Sequence, residues 1–199
     1  YEFYDYLEHS VEEWVYDYSL ADSIPDGTGQ DESMDLLAAA VPVRVVEWYQ
    51  KLIRMVGWKL SAMAPASSAI SNLIMSDQGK QDVRRSNCCV MDCGRQGVRL
   101  YFYQKGLLFA KRGLEFCDTE ERLLFELEKI WDYYQTCYPG YIPELIYVTG
   151  GKRNPLLEAA ITEQLEAECC DWTKLLDNSQ EPVRGLISAE AAGITFWKG

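Results

Sequence analysis

The chain has 199 residues, with 31 Asp and Glu against 19 Lys and Arg and a formal net charge of −12. An apolar share of 48% with 25% charged residues is the balance of an ordinary globular protein and excludes disorder, collagen and simple coiled coil. The acidic balance opposes non-specific attraction to nucleic acid or anionic lipid, and no apolar run reaches the ~20 residues needed to cross a bilayer.

Residues 1–7 read as the tail of a helix, and the opening Tyr1-Glu2-Phe3 suggests a preceding segment. Trp14, Tyr16 and Tyr18 alternate with Val15 and Asp17, which predicts a strand over 14–20. A loop follows over 22–32, with Pro25, Gly27 and Gly29 among acids. A second strand is expected over 34–40, running into Pro42, a fitting helix start. Val45, Trp48, Tyr49, Leu52, Ile53 and Val56 recur three and four apart, so 44–56 is an amphipathic helix that Gly57 stops. Residues 58–63 read as a third strand, and Pro65 opens a short helix to Met75.

Beyond a polar linker over 77–87 the texture changes. Residues 88–93 form a buried strand. Residues 98–104 and 107–112 form a hairpin about Lys105-Gly106. A long helix runs over 117–137, capped by Asp118 or Thr119, with Leu124, Leu127, Ile130, Trp131 and Tyr134 on one face. A strand over 144–148, the loop Thr149-Gly150-Gly151 and a helix from Asn154-Pro155 follow. Residues 183–197 read as a broken helix. Strands and helices alternate, so the class is α/β. Two parts are expected: residues 1–76 as one subdomain and 88–199 as the other.

The seven cysteines are odd in number, include two adjacent pairs and form no CxxC, which reads as free, buried thiols in a reducing compartment. Cys88 and Cys89, neighbours on a strand, point to opposite faces. The single His9 has no nucleophile in view, which disfavours a Ser-His-Asp enzyme. Glu120, Glu121, Glu126 and Glu128 form a solvated helix face with Arg122 and Lys129. Tyr133, Tyr134, Tyr138 and Tyr141 read as packing near a helix end.

Two stretches carry chemistry. In Asp92-Cys93-Gly94 an acid and a glycine stand at a strand end, where backbone amides can approach a phosphate. Thr149-Gly150-Gly151-Lys152-Arg153-Asn154-Pro155 joins a buried strand to a helix N-terminus, and it is not a GxxxxGK[ST] loop. Their order and spacing resemble the second half of the actin, chaperone and sugar-kinase ATPase fold.

The rest of the chain narrows this. Tyr1-Glu2-Phe3, Trp14-Val15-Tyr16-Asp17-Tyr18, Leu36-Leu37-Ala38-Ala39-Ala40-Val41-Pro42 and the stretch from Leu52 to Trp58 resemble, in this order, the PilM family of type IV pilus assembly, related to the cytoplasmic part of the type II secretion L protein. The resemblance implies a partial actin-like (ribonuclease H-like) fold with mixed sheets flanked by helices. It places Asp92 and Gly94 in the second phosphate loop, Gly150 and Gly151 in the adenosine loop, and Arg112 at the arginine after the hairpin. The first phosphate loop has no match in this chain, Arg95-Gln96-Gly97 replaces small or hydroxyl residues, and the subdomain that covers the nucleotide is missing before Asp118. The resemblance therefore implies a pseudo-ATPase with no cofactor held by this chain alone, ATP and Mg²⁺ belonging at most to a longer protein.

The expected function is a cytoplasmic scaffold at the inner face of the cell membrane, without direct membrane insertion. It would hold the short cytoplasmic tail of a bitopic, PilN-like pilus protein, with Trp14, Tyr16, Tyr18 and Trp48 as groove candidates. The alternative is an active ATP-binding kinase or ATPase of the same superfold.

Overall fold

The computed structural model describes residues 13–20, 36–75, 83, 86–115, 119–138, 140–141, 143–176 and 189. The expected helix tail at 1–7, the loop at 22–32, most of the linker at 77–87 and, but for Ala189, the broken helix at 183–197 lie outside these residues. The chain divides into two compact units, Tyr1–Pro65 and Ala66–Gly199.

In the first unit, β1 (Trp14–Leu20) pairs antiparallel with β2 (Leu36–Pro42). The register sets Trp14 opposite Pro42, Tyr16 opposite Ala40 and Tyr18 opposite Ala38. One face of the ribbon therefore carries large rings on one strand and small residues on the other. Helix α1 (Val43–Met55) follows at once from Pro42, whose φ of −58° suits a helix entry. It ends in a Schellman turn: the Gly57 N–H donates to the Arg54 carbonyl and the Trp58 N–H to the Ile53 carbonyl, each at 3.0 Å. Gly57 takes φ +77°, the left-handed conformation this cap requires. The expected third strand over 58–63 is corrected: these residues are irregular. Ser61-Ala62-Met63-Ala64 has low strand propensity, and Pro65 offers no ladder donor.

The second unit is built on a mixed five-stranded sheet in the order β5-β4-β3-β6-β7. β3 (Asn87–Cys93), β4 (Gly97–Gln104) and β5 (Leu107–Glu115) form an antiparallel meander. The β4–β5 turn has positive φ at both Lys105 and Gly106, the signature of a tight two-residue hairpin. β6 (Leu145–Thr149) runs parallel to β3, and β7 (Glu168–Asp171) parallel to β6. Helix α2 (Ala66–Met75) belongs to this unit, so the division falls earlier than the sequence boundary after residue 76. Ile70, Leu73 and Ile74 bury there against Val90, Tyr101 and Tyr103.

Helices cover both faces of the sheet. α3 (Glu120–Cys137) and α4 (Pro155–Leu165) press Leu127, Trp131, Leu157 and Ile161 onto Cys89, Met91, Leu100, Phe102 and Val148. The opposite face packs α2 and the 3-10 turn Trp172–Leu175 onto Cys88, Tyr147 and Cys170. Cys88 and Cys89 thus point to opposite faces, as strand geometry demands. Tyr134 and Tyr141 pack into the core around Phe102 and Phe109, while Tyr133 and Tyr138 stay half exposed.

Candidate functional site

Parallel pairing brings the two chemical stretches together. Asp92 on β3 stands in register with Thr149 on β6, so the Asp92-Cys93-Gly94 and Thr149-Gly150-Gly151 loops leave the sheet side by side. They leave at the carboxyl ends of adjacent parallel strands, where ligands of α/β sheets bind.

The loops touch each other. Gly150 takes φ +95°, and a Cβ there would come within 2.5 Å of the Cys93 carbonyl oxygen and 2.7 Å of Asp92 Oδ1. The Lys152 N–H donates to the Cys93 carbonyl at 3.0 Å. On the hairpin side, the Gly94 N–H donates to the Gly97 carbonyl at 3.0 Å, closing a turn through the exposed Arg95. A Cβ on Gly97 would lie 2.0 Å from the Leu114 carbonyl oxygen, so the glycine admits β5 alongside. Gly151 faces open space.

Asp92 is 7% exposed and forms an ion pair with Arg99, 3.6 Å from Oδ2 to Nη1. Arg99 is its cross-strand partner on β4. This residue escaped the sequence reading, although any hairpin centred on Arg95-Gln96 sets 92 against 99. Arg112, by contrast, lies over the Tyr134 ring at 5.6 Å.

The arginine after the glycine loop, Arg153, is also engaged. Arg153 grips Glu158 with Nε and Nη2, at 2.9 and 3.1 Å, and reaches Asp171 with Nη1. The bonds from Glu158 hold its pKa above the usual guanidinium value, with Asp171 adding to them against the opposing effect of burial. At Asp171 burial raises the carboxyl pKa. The Thr173 bonds, together with Arg153, outweigh burial and leave it below the usual range. Sequence did not reveal this cluster, because β7 was unseen.

A cavity of about 230 Å³ opens beside the loops. Gly94, Glu115, Glu120, Lys152 and Asn154 border it, and of the four glycine and aspartate candidates only Gly94 does. Two helix starts meet there, each already capped: Thr119 Oγ1 accepts from the Arg122 N–H at 3.3 Å, and Asn154 Oδ1 from the Leu156 N–H at 3.0 Å. The Asn154 amide donates to Glu120.

The thiols near the site are neutral. Burial, with the nearby Asp92 charge adding to it, pushes Cys93 up to about 12. Among the described residues no group of His, Cys, Asp and Glu is arranged to hold a metal, and the six described cysteines are free.

The proposed groove residues lie in the first unit. Trp14 is partly buried, Tyr16 is exposed and Tyr18 is 72% exposed. Trp48 lies on the exposed half of α1, edge-on to Tyr49 at 4.8 Å. Among the described residues no helix is long and apolar enough to cross a membrane.

A meander, helix, strand, glycine loop and helix in this order make the actin-like fold, and the chain is α/β with a mixed sheet flanked by helices. It is similar to a chain of the solved "PilM-PilN type IV pilus biogenesis complex", with a TM-score of 0.73, 16% identity, and coverage of 96% of this chain and 68% of that one. It also resembles a Bacteroides thetaiotaomicron protein of actin-like ATPase fold and unknown function, with a TM-score of 0.54, 11% identity, and coverage of 98% of this chain and 63% of that one. No family model and no curated protein matches the sequence.

Proposed function

We propose that this protein is a non-catalytic scaffold of type IV pilus assembly, or of a related secretion system. In this reading it sits peripherally at the inner face of the cell membrane and holds the short cytoplasmic tail of a membrane-anchored, PilN-like partner. The likeness of fold to a chain of a PilM-PilN complex supports the setting.

The observation that carries the non-catalytic reading is the occupation of the loop donors. The Gly94 and Lys152 N–H groups, which a phosphate would take, already serve backbone carbonyls. Asp92 is held by Arg99, and Arg153 by Glu158 and Asp171. The cavity is below the ~300–1,000 Å³ of ordinary small-molecule sites. Its charged borders are Glu115 and Glu120 against Lys152, a net negative lining that opposes a bare triphosphate. These observations support a reading in which this chain alone holds no ATP.

The tail site belongs to the first unit. Tyr16 and Tyr18 stand exposed over Ala40 and Ala38, a platform of large rings against small residues that suits an extended segment. A basic tail matches the −12 charge. The test is fluorescence anisotropy with labelled tail peptides of bitopic pilus proteins. Saturable binding weakened by Tyr18→Ala is expected, and failure of every such peptide to bind removes the reading. The enzyme alternative requires MgATP to raise the melting temperature at millimolar concentration.

A further inference from the structure

Helix α1 has no fully buried residue among its thirteen. Val43, Val45, Val46, Gln50 and Ile53 are half buried, and the other apolar side chains stand out. Trp48, Leu52 and Met55 follow at i, i+4 and i+7, so they form one continuous stripe. Trp48 is 57% and Met55 75% exposed, and Tyr49 and Val56 widen the stripe. Trp58, just past the Schellman turn, is 70% exposed. A monomer surface rarely carries so contiguous an apolar patch without a purpose.

The charge beside this stripe is opposite in sign to the net charge of the chain. Between residues 43 and 59 the chain has Arg44, Lys51, Arg54 and Lys59 against the single acid Glu47. All four basic side chains are exposed. A chain of net charge −12 therefore carries a locally cationic stretch here, and the same helix exposes Trp48 and Tyr49. Tryptophan, leucine and methionine flanked by Lys and Arg are the composition of helices that lie in the plane of a bilayer interface.

We propose that the exposed half of α1, with Trp58 and Lys59, docks on the anionic headgroup surface of a lipid bilayer. The basic side chains meet the headgroups while Trp48, Met55 and Trp58 reach the acyl boundary. The net charge opposes attraction of the chain as a whole, and the local distribution reverses that at one face. Trp48 then serves the lipid contact, leaving the tail to β1. No pilus partner is required, so failure of the tail reading leaves this proposal standing, and the reverse.

The test is co-sedimentation of the chain with vesicles of phosphatidylcholine, with and without phosphatidylglycerol. Binding is expected only with phosphatidylglycerol and is expected to fall as salt is raised. Lys51→Gln with Arg54→Gln, both on exposed side chains, is expected to lower the partition coefficient roughly thirtyfold. Trp48→Ser with Met55→Ser is expected to lower it further without changing the melting temperature. The proposal is overturned by absence of binding to the anionic vesicles, or by undiminished binding of the Lys51/Arg54 variant. A large fall in melting temperature of the Trp48/Met55 variant would mark the face as core. A dimer in ultracentrifugation that this variant abolishes would mark it as a self-association surface.

Discussion

Gly150 lies so close to Cys93 that any side chain there would strike the Cys93 carbonyl oxygen at 2.5 Å. The contact involves the Asp92-Cys93-Gly94 and Thr149-Gly150-Gly151 loops, which leave adjacent parallel strands. It joins them to each other.

Gly150→Ala is accordingly expected to be costly. It meets both a backbone clash and a φ of +95° that L-residues rarely adopt. A loss of about 2 kcal/mol or more is expected in denaturant unfolding. Gly151→Ala, next door in open space, serves as the control and is expected to change stability by less than about 1 kcal/mol. Equal effects of the two would mean that the loops do not close on one another.

Acid stability is expected to depend on Asp171. Its folded pKa lies below the ordinary carboxylate value, so its contribution is complete above pH ~4, the unfolded value, and is lost as pH falls through the folded one. Asp171→Asn is expected to flatten the acid limb of the stability curve while leaving that curve's alkaline side unchanged. Melting temperatures from pH 2 to 7 check this, and parallel curves would contradict it.

The buried thiols act in the opposite direction. Burial, reinforced by Cys170, raises Cys88 to about 12, and Cys93 is raised as far. Their stabilising effect is full below the unfolded thiol pKa of ~8.5 and is lost as pH climbs toward the folded values. Stability is expected to fall steadily above pH ~9 and less so in Cys88→Ala corrected for its packing loss. At neutral pH, Cys137, which is exposed, is expected to react with a thiol reagent far faster than Cys88, Cys89 or Cys93. Fast labelling of Cys89 in the native state would contradict this burial.

Leu127→Ala removes a side chain buried between α3 and the sheet. A loss of about 2–5 kcal/mol is expected by chemical denaturation, with cooperative unfolding of the second unit. A loss below 1 kcal/mol would mean that this face is loosely packed.

Local signals in the sequence were strong wherever one residue type solves one backbone problem. Lys105-Gly106 announced its hairpin, Asn154-Pro155 a helix start and Gly57 a helix end, because few other residues serve those positions. The joint order of Asp92-x-Gly94 and Gly150-Gly151 revealed the actin-like lobe, since register alone brings the two together. Glu168–Asp171 was missed as a strand because four residues with an acid at each end give no alternation to read. Trp58 suggested a strand that the Ser-Ala stretch after it does not sustain. The Arg99–Asp92 pair and the Arg153 cluster depend on tertiary register, so composition and spacing left them invisible.

The most direct measurement is a calorimetric titration of a PilN-like cytoplasmic tail peptide into the protein, run without and with millimolar MgATP. The expected result is saturable binding with the same affinity in both, weakened by Tyr18→Ala, and no heat from MgATP alone. Absence of tail binding, or saturable heat from MgATP that shifts the tail affinity, would contradict a scaffold whose two glycine loops are closed on each other.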